Sequence, residues 1–172
     1  MAATAEELFS QELQRRNELL MELRHLQQVS PRDTAVREQL AQSLFNALID
    51  AKKENDLQRR DALLVELRRL QQTWQQEAMV REPLARGLFL TLSEAKEENN
   101  LQRRDALLVE MRQLQQAWPQ DAAVREHVAN GLFMALTHAK EENDPGRRKD
   151  LLWKCVSSSW LGHRTLSSGI NW

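Results

Sequence analysis

The strongest constraint on the fold of this chain is a sequence repeat with a period of 44 residues. Three segments align without gaps: LQRRNELLMEL from Leu13, LQRRDALLVEL from Leu57 and LQRRDALLVEM from Leu101. A fourth segment, PGRRKDLLWKC from Pro145, keeps only the Arg and Leu pairs. Such a period indicates stacked supersecondary units that bury a continuous core between neighbours. The repeat predicts an array over residues 1–156, with units near 13–56, 57–100, 101–144 and a partial unit at 145–156, followed by a divergent tail at 157–172.

Each unit is predicted to contain two helices. Leu, Ala, Glu, Gln and Arg dominate the chain, and no alternating apolar and polar run indicates a strand. Apolar residues recur at helical spacing in both halves of a unit. They are Leu57, Leu63, Leu64, Leu67 and Leu70 in a first half, and Val36, Leu40, Leu44, Phe45, Ala47, Leu48 and Ala51 in a second half. Short links between helices favour antiparallel neighbours. We therefore expect an all-α fold, a right-handed solenoid of antiparallel helix pairs.

Polar and special residues mark the expected helix ends. Asp33 and Asp121 follow a proline and are candidate N-caps of the second helix. Asn55 tolerates the left-handed conformation that often ends a helix. Pro83 lies about one turn inside the second helix of its unit, so we expect that helix to begin late or to kink.

The chain resembles the tetratricopeptide repeat group between residue 13 and about residue 155. An END-L segment follows one helix, and a W-P-Q-D segment follows the other. The residues that carry the resemblance are Asn55-Asp56, Asn99-Asn100 and Asn143-Asp144 at the turn, and Pro31 and Pro119 at the closing proline. The period of 44 residues exceeds the roughly 34 of that family, Gln75 replaces one proline, and Arg60, Arg104 and Arg148 replace a small residue. The resemblance implies a superhelix whose concave face holds peptides or partner proteins.

Charge and composition argue against several function classes. Lys and Arg number 24 and Asp and Glu 25, a balance that does not favour binding to nucleic acid. The single Cys155 and the four histidines, His25, His127, His138 and His163, lack metal-ligand spacing, so we expect no metal, no cofactor and surface roles for the histidines. No catalytic motif is visible, and we expect a protein that is not an enzyme. The absence of a signal sequence and of a long apolar run predicts a cytoplasmic protein with no membrane contact.

Two repeated features allow a functional and a structural interpretation. A basic pair recurs at Arg15-Arg16, Arg59-Arg60, Arg103-Arg104 and Arg147-Arg148. The pairs could form a phosphate-binding stripe, or each could pair with local carboxylates such as Asp56, four residues before Arg60. Trp74 and Trp118 could stack on bases, or they could fill the joint between adjacent units. We favour the structural interpretation of both features.

Variation between the units indicates a candidate binding surface. The apolar positions barely change, whereas another face of the second helix does: Gln42, Arg86 and Asn130; Asn46, Leu90 and Met134; Ile49, Ser93 and Thr137; Asp50, Glu94 and His138. Leu90 and Met134 lie on this face, where they either mark a partner surface or pack on the neighbouring unit. Our candidate partner-binding residues are Gln42, Asn46, Arg86, Leu90, Asn130 and Met134. Gly87 and Gly131 align with Ser43 at the edge of the apolar face, where a small residue lets helices approach closely.

The sequence favours a scaffold that binds a partner protein or peptide. One alternative is a structural protein that self-assembles, because the end at 145–172 leaves an apolar helix face open. Another is a regulatory module of a larger multidomain protein. The tail, which contains Trp160, Leu161 and Trp172, is a folded cap, a loosely attached segment or the read-through of a truncated array. We expect a short last helix through about Cys155 and self-association through this C-terminal end.

Overall fold

The computed structural model describes residues 4–157, apart from the side chains of residues 5–6 and 154–157. Within this range the chain forms seven helices and no strand, which confirms the expected all-α class. The helices are α1 (Ala5–Val29), α2 (Thr34–Lys53), α3 (Leu57–Thr73), α4 (Ala78–Glu97), α5 (Leu101–Ala117), α6 (Ala122–Glu141) and α7 (Pro145–Ser157). The tail at 158–172 and its tryptophans lie outside the described residues.

Helices in successive units begin at equivalent positions. The even-numbered helices begin at Thr34, Ala78 and Ala122 and each contain 20 residues. The expectation that Pro83 delays α4 is therefore wrong. The start is set upstream by a turn in which the backbone N–H of Glu77 donates to the carbonyl of Trp74 at 3.1 Å, as it does in the other units. Pro83 is accommodated inside α4, at the sixth helical residue.

The predicted caps are confirmed. Asp33 accepts hydrogen bonds from the backbone N–H groups of Ala35 and Val36, and Asp121 accepts one from Val124. Two residues after the end of each even-numbered helix stands an asparagine in the left-handed region, with φ values of 56°, 53° and 52° at Asn55, Asn99 and Asn143. The residue after each asparagine, Asp56, Asn100 or Asp144, accepts a hydrogen bond from the first turn of the next helix. One short polar segment thus ends one helix and begins the next.

The apolar rows form one core that continues through the units. Leu63, Leu64, Leu67 and Leu70 of α3 are buried, as are Leu40, Leu44, Phe45, Ala47, Leu48 and Ala51 of α2, whereas Val36 and Ile49 are half-buried. Leu57 is an exception to the prediction, because it stands at the first residue of α3 and is exposed. Gly131 marks a close approach, since a Cβ atom there would lie 3.0 Å from Cδ2 of Leu92, and this confirms the role expected of a small residue at that position.

Helix contacts differ between the even-numbered and odd-numbered helices. Each even-numbered helix contacts the odd-numbered helices on both sides of it in the chain, and α4 also contacts α2 and α6. Between residues 4 and 157, no Cα atoms of two odd-numbered helices approach within 8 Å. The even-numbered helices therefore form the closely packed layer. No helix in this range is long and apolar enough to cross a membrane.

The buried core should carry the stability of the chain. Leu67 is fully buried, and we expect Leu67→Ala to reduce the free energy of unfolding by about 2–5 kcal/mol, because the truncation leaves a cavity. Val65, two residues away on the exposed side of α3, provides the control, and Val65→Ala should change it by only about 0.5 kcal/mol. Denaturant unfolding measures both, and equal losses would contradict the assignment of the buried face.

Candidate partner-binding face and the polar network beneath it

The six candidate partner-binding residues lie on the three even-numbered helices, which contact one another. Gln42, Arg86 and Asn130 occupy one repeat position, and Asn46, Leu90 and Met134 occupy the position one turn later. On α2 the side-chain amide of Gln42 donates to Oδ1 of Asn46 at 3.1 Å. We call this set the variable row.

Leu90 and Met134 are less exposed than their position in the sequence suggested. Both are half-buried and pack against the hydrophobic core, whereas Asn46 is exposed. Of the two alternatives left open for these residues, packing is found for both, although neither side chain is fully buried. The close approach of the even-numbered helices explains the difference, because a side chain between two adjacent helices is covered in part by both. What remains accessible is the outer part of each side chain.

Arg86 connects the variable row to the joint between the first two units. Its guanidinium carbon lies 4.1 Å from the ring centroid of Phe45, and Nη1 lies 3.8 Å from Oε1 of Glu82. A cation placed over an aromatic ring in this way is stabilising. In the next joint the ring of His127 lies 6.2 Å from that of Phe89. His127 is half-buried rather than fully exposed, and this burial lowers its pKa.

Asp50, Glu94 and His138 do not belong to the variable surface, although their variation suggested it. Asp50 and Glu94 are buried, and the side chain of His138 is 14% exposed. Each contacts the second arginine of the pair that stands 34 residues earlier, Arg16, Arg60 or Arg104. The separation of 34 residues can be read from the sequence. That it marks pairs in contact follows only from the way the helices pack.

The Arg60–Glu94 pair is the most deeply buried of these contacts. Nη1 of Arg60 donates to Oε2 of Glu94 at 2.6 Å, and both side chains are almost completely buried. Burial raises the pKa of Glu94, and the nearby Arg60 charge opposes that rise. In the following unit Arg104 contacts Nδ1 of His138 and donates to Glu142 at 3.4 Å. Burial lowers the pKa of Arg104, since its charged form is poorly solvated there.

A second series of contacts joins successive odd-numbered helices at a separation of 42 residues. The first arginine of a pair donates to the preceding odd-numbered helix, as Arg103 does to Asp61 and as Arg147 does to Asp105 at 2.6 Å. At a later position the arginine donates to the following odd-numbered helix instead: Arg68 of α3 forms a bidentate pair with Glu110 of α5 at 2.6 and 2.7 Å. The bidentate bonds to Glu110 raise the pKa of Arg68. Its equivalent on α1, Arg24, pairs with Glu66 in the same way.

The arginine pairs therefore hold helices together. The carboxylate partners of Arg60 lie on α4 and at its end, with a longer contact to Asp61, so the expected side-chain pairing with Asp56 is wrong. Because the guanidinium groups of Arg59, Arg60, Arg103 and Arg104 are occupied by partners within the chain, these arginine pairs are poorly placed to bind phosphates.

Trp74 and Trp118 lie at the joints between units, where the structural interpretation put them, but they are half-buried rather than fully covered. The guanidinium carbons of Arg37 and Arg81 lie 5.2 Å from their ring centroids. The same arginines form ion pairs with Glu77 at 2.8 Å and Asp121 at 3.3 Å. Each tryptophan ring thus contacts the guanidinium of an arginine, and the same arginine pairs with a carboxylate just before an even-numbered helix.

Comparisons of the chain with protein-family models, with characterised proteins and with solved structures found no match. The proposal for its function therefore depends on the geometry described above.

Removing one partner of the buried pair should be costly. We expect Arg60→Met to lower the free energy of unfolding by about 3–5 kcal/mol, because it leaves the Glu94 carboxylate buried without its cation. Arg59 is the matched control, since it pairs with the partly exposed Glu54, and Arg59→Met should cost less than about 1 kcal/mol. Denaturant unfolding of both variants tests the assignment, and similar losses would refute it.

The occupied arginines also predict weak binding to nucleic acid. We expect no retention of single- or double-stranded nucleic acid at physiological salt in an electrophoretic mobility assay. Tight binding that falls steeply with salt concentration would contradict this, because such a slope reports counterions released from phosphates.

Proposed function

We propose that this chain is a protein-binding scaffold, a right-handed solenoid of antiparallel helix pairs that holds a peptide or a segment of a partner protein on the variable row. The repetition of contacts from unit to unit supports the solenoid arrangement. The odd-numbered helices are joined at a separation of 42 residues and the helices of one unit at 34, and both separations recur along the chain. Each unit then meets its neighbours in the same way.

The buried pair supports an antiparallel arrangement within a unit. Arg60 stands in the first turn of α3, and its partner Glu94 stands in the last turn of α4. The start of one helix therefore lies beside the end of the next. The short segments between helices favour the same arrangement.

The two layers of helices support a curved stack with the variable row on the inside. The even-numbered helices approach each other closely, whereas the odd-numbered helices are bridged by long ion pairs. A stack whose two layers differ in spacing bends toward the closer layer. The concave side is then formed by α2, α4 and α6, the helices that carry the variable row.

One observation carries the proposal: the buried apolar rows are nearly uniform and the variable row is not. The buried rows repeat the same or a similar residue, as at Ala51, Ala95 and Ala139. At the variable row the first unit presents Gln42 and Asn46, whereas the later units present Leu90 and Met134. The buried apolar rows do not show such differences, so we assign those of the variable row to recognition of a ligand.

The border of the variable row indicates the chemistry of the ligand. Four residues before the row, every unit has an exposed glutamate: Glu38, Glu82 and Glu126. A carboxylate border beside two half-buried apolar side chains suits an extended or helical peptide that combines apolar and basic residues. Charged borders fix the orientation of a ligand, and a few buried apolar contacts provide most of the affinity.

A random peptide display library panned against the whole chain tests the proposal. Selected peptides should be enriched in apolar and basic residues, and Leu90→Ser with Met134→Ser should weaken their binding about tenfold or more, as loss of central apolar contacts does. Fluorescence anisotropy measures the affinities. Circular dichroism must show that the variant keeps its helices, because both residues also touch the core.

Two further variants separate recognition from stability. Glu82→Lys with Glu126→Lys alters only exposed positions and should weaken binding most at low salt. Val65→Ser with Val109→Ser changes exposed apolar residues of the odd-numbered helices and should leave binding intact. Peptides that lose affinity only with this last variant would place the binding face on the other side of the chain.

A further inference from the structure

The first helix exposes a face that is buried in every later unit. Leu19 and Leu26 of α1 are 50% and 46% exposed. Their equivalents in α3 and α5, namely Leu63, Leu70, Leu107 and Leu114, are only 4–7% exposed. Arg16 follows the same pattern, because its side chain is 47% exposed whereas that of Arg60 is 3% exposed. The later leucines are buried where two units meet, whereas among residues 4–157 only α2 has Cα atoms within 8 Å of those of α1. Within this range α1 therefore carries a joint surface that no other helix covers.

Two charges on that surface also lack the partners that their equivalents have. Arg15 corresponds to Arg103, which pairs with Asp61 of the preceding helix, and Glu22 corresponds to Glu66, which accepts from Arg24. Within the described part of the chain no partner is found for Arg15 or Glu22, and both are exposed. We call Arg15, Leu19, Glu22 and Leu26 the N-terminal joint face.

The third unit presents the complementary set. Arg112 stands where Arg24 and Arg68 stand in earlier units, and no carboxylate among residues 4–157 pairs with it. Arg125 corresponds to Arg81, which pairs with Asp121, and it is likewise without a partner in that range. Phe133 is 69% exposed, whereas the equivalent Phe45 is 5% exposed beneath Arg86. The third unit therefore presents the two arginines of a further joint, and residues 4–157 contain no carboxylates that pair with them.

Helix α7 packs on the third unit, but it carries only part of the joint face that α3 and α5 have. Arg147 reaches Asp105 and Leu151 is buried, which are two of the four contacts that the repeat provides. At the other two positions the sequence has Lys154 in place of the glutamate and Ser158 in place of the leucine. The N-terminal joint face has all four residues of the pattern.

We propose that α1 of a second copy takes the place of α7 on the third unit, so that copies stack head to tail and continue the array across the molecular boundary. Glu22 of one copy then pairs with Arg112 of the other, and Leu19 and Leu26 become buried. Asp33, which stands where Glu77 and Asp121 stand, reaches Arg125. The proposal extends the expected self-association at the C-terminal end by identifying the surface that meets it.

The geometry of this contact makes it open-ended. Two different surfaces of the chain meet, and such a heterologous contact forms chains of copies unless the rotation between them closes a ring. One contact of the series is unfavourable. Within the chain Lys52 pairs with Glu97 of the next unit at 3.7 Å, but Lys53 occupies the position of Glu97 in the first unit, so two lysines would meet between copies. That pair is largely exposed, so its loss costs little.

A charge-exchange experiment on the full chain tests the proposal. Sedimentation velocity of the unaltered chain should show a mass that rises with concentration. Glu22→Arg and Arg112→Glu should each raise the concentration needed for association at least tenfold, because each brings like charges together. An equimolar mixture of the two variants, and a chain that carries both changes, should recover association, since opposite charges then meet again.

Two apolar variants test the exchange with α7. Leu26→Ser should weaken association, and Leu151→Ser should strengthen it by loosening the helix that competes for the same place. A chain that stays monomeric up to its solubility limit would overturn the proposal. So would association that ignores the charge changes, or that Leu151→Ser weakens. Circular dichroism confirms that each variant is folded, and peptide binding to the variable row should be unaffected by Glu22→Arg.

Discussion

The close packing of the even-numbered helices determines most other features of this structure. Small residues permit it, and at Gly131 even a methyl group would press against Leu92. Because these helices pack side by side from α2 to α6, the odd-numbered helices add buried leucines to the same core while their own backbones remain apart. The same packing covers the inner part of Leu90 and Met134 and leaves their outer part on the variable row.

Long ionic side chains complete what the apolar core leaves open. Odd-numbered helices whose backbones stay apart are bridged by pairs such as Arg68 and Glu110, and the helices of one unit are joined by buried pairs such as Arg60 and Glu94. Partly exposed bridges contribute little stability individually, whereas a buried pair is costly to break. Where the series stops, at Glu22 and at Arg112, the chain displays charges that suit another copy of itself.

Local chemistry made much of the helix pattern predictable. Asp33 and Asn55 were identified as end signals because a cap depends on the residue and its immediate neighbours. Pro83 does not delay the start of α4, because the turn before the helix determines where the helix begins. The partners of the arginines were predicted only in part, because Arg59 pairs with the local Glu54 whereas Arg60 does not pair with Asp56. Asp56 is near Arg60 in the sequence, whereas Glu94 is near it only after two helices pack.

By itself the sequence determined the all-α class, the positions of most helix ends and the rows of buried residues, because these depend on short-range periodicity and on capping. Only the tertiary structure decided which polar residues are buried and how far the variable row is exposed. Asp50 and Asn46 lie four residues apart on α2, yet one is buried against Arg16 and the other is exposed. That difference depends on the distance between neighbouring helices, and helices approach as closely as the side chains of several units together allow.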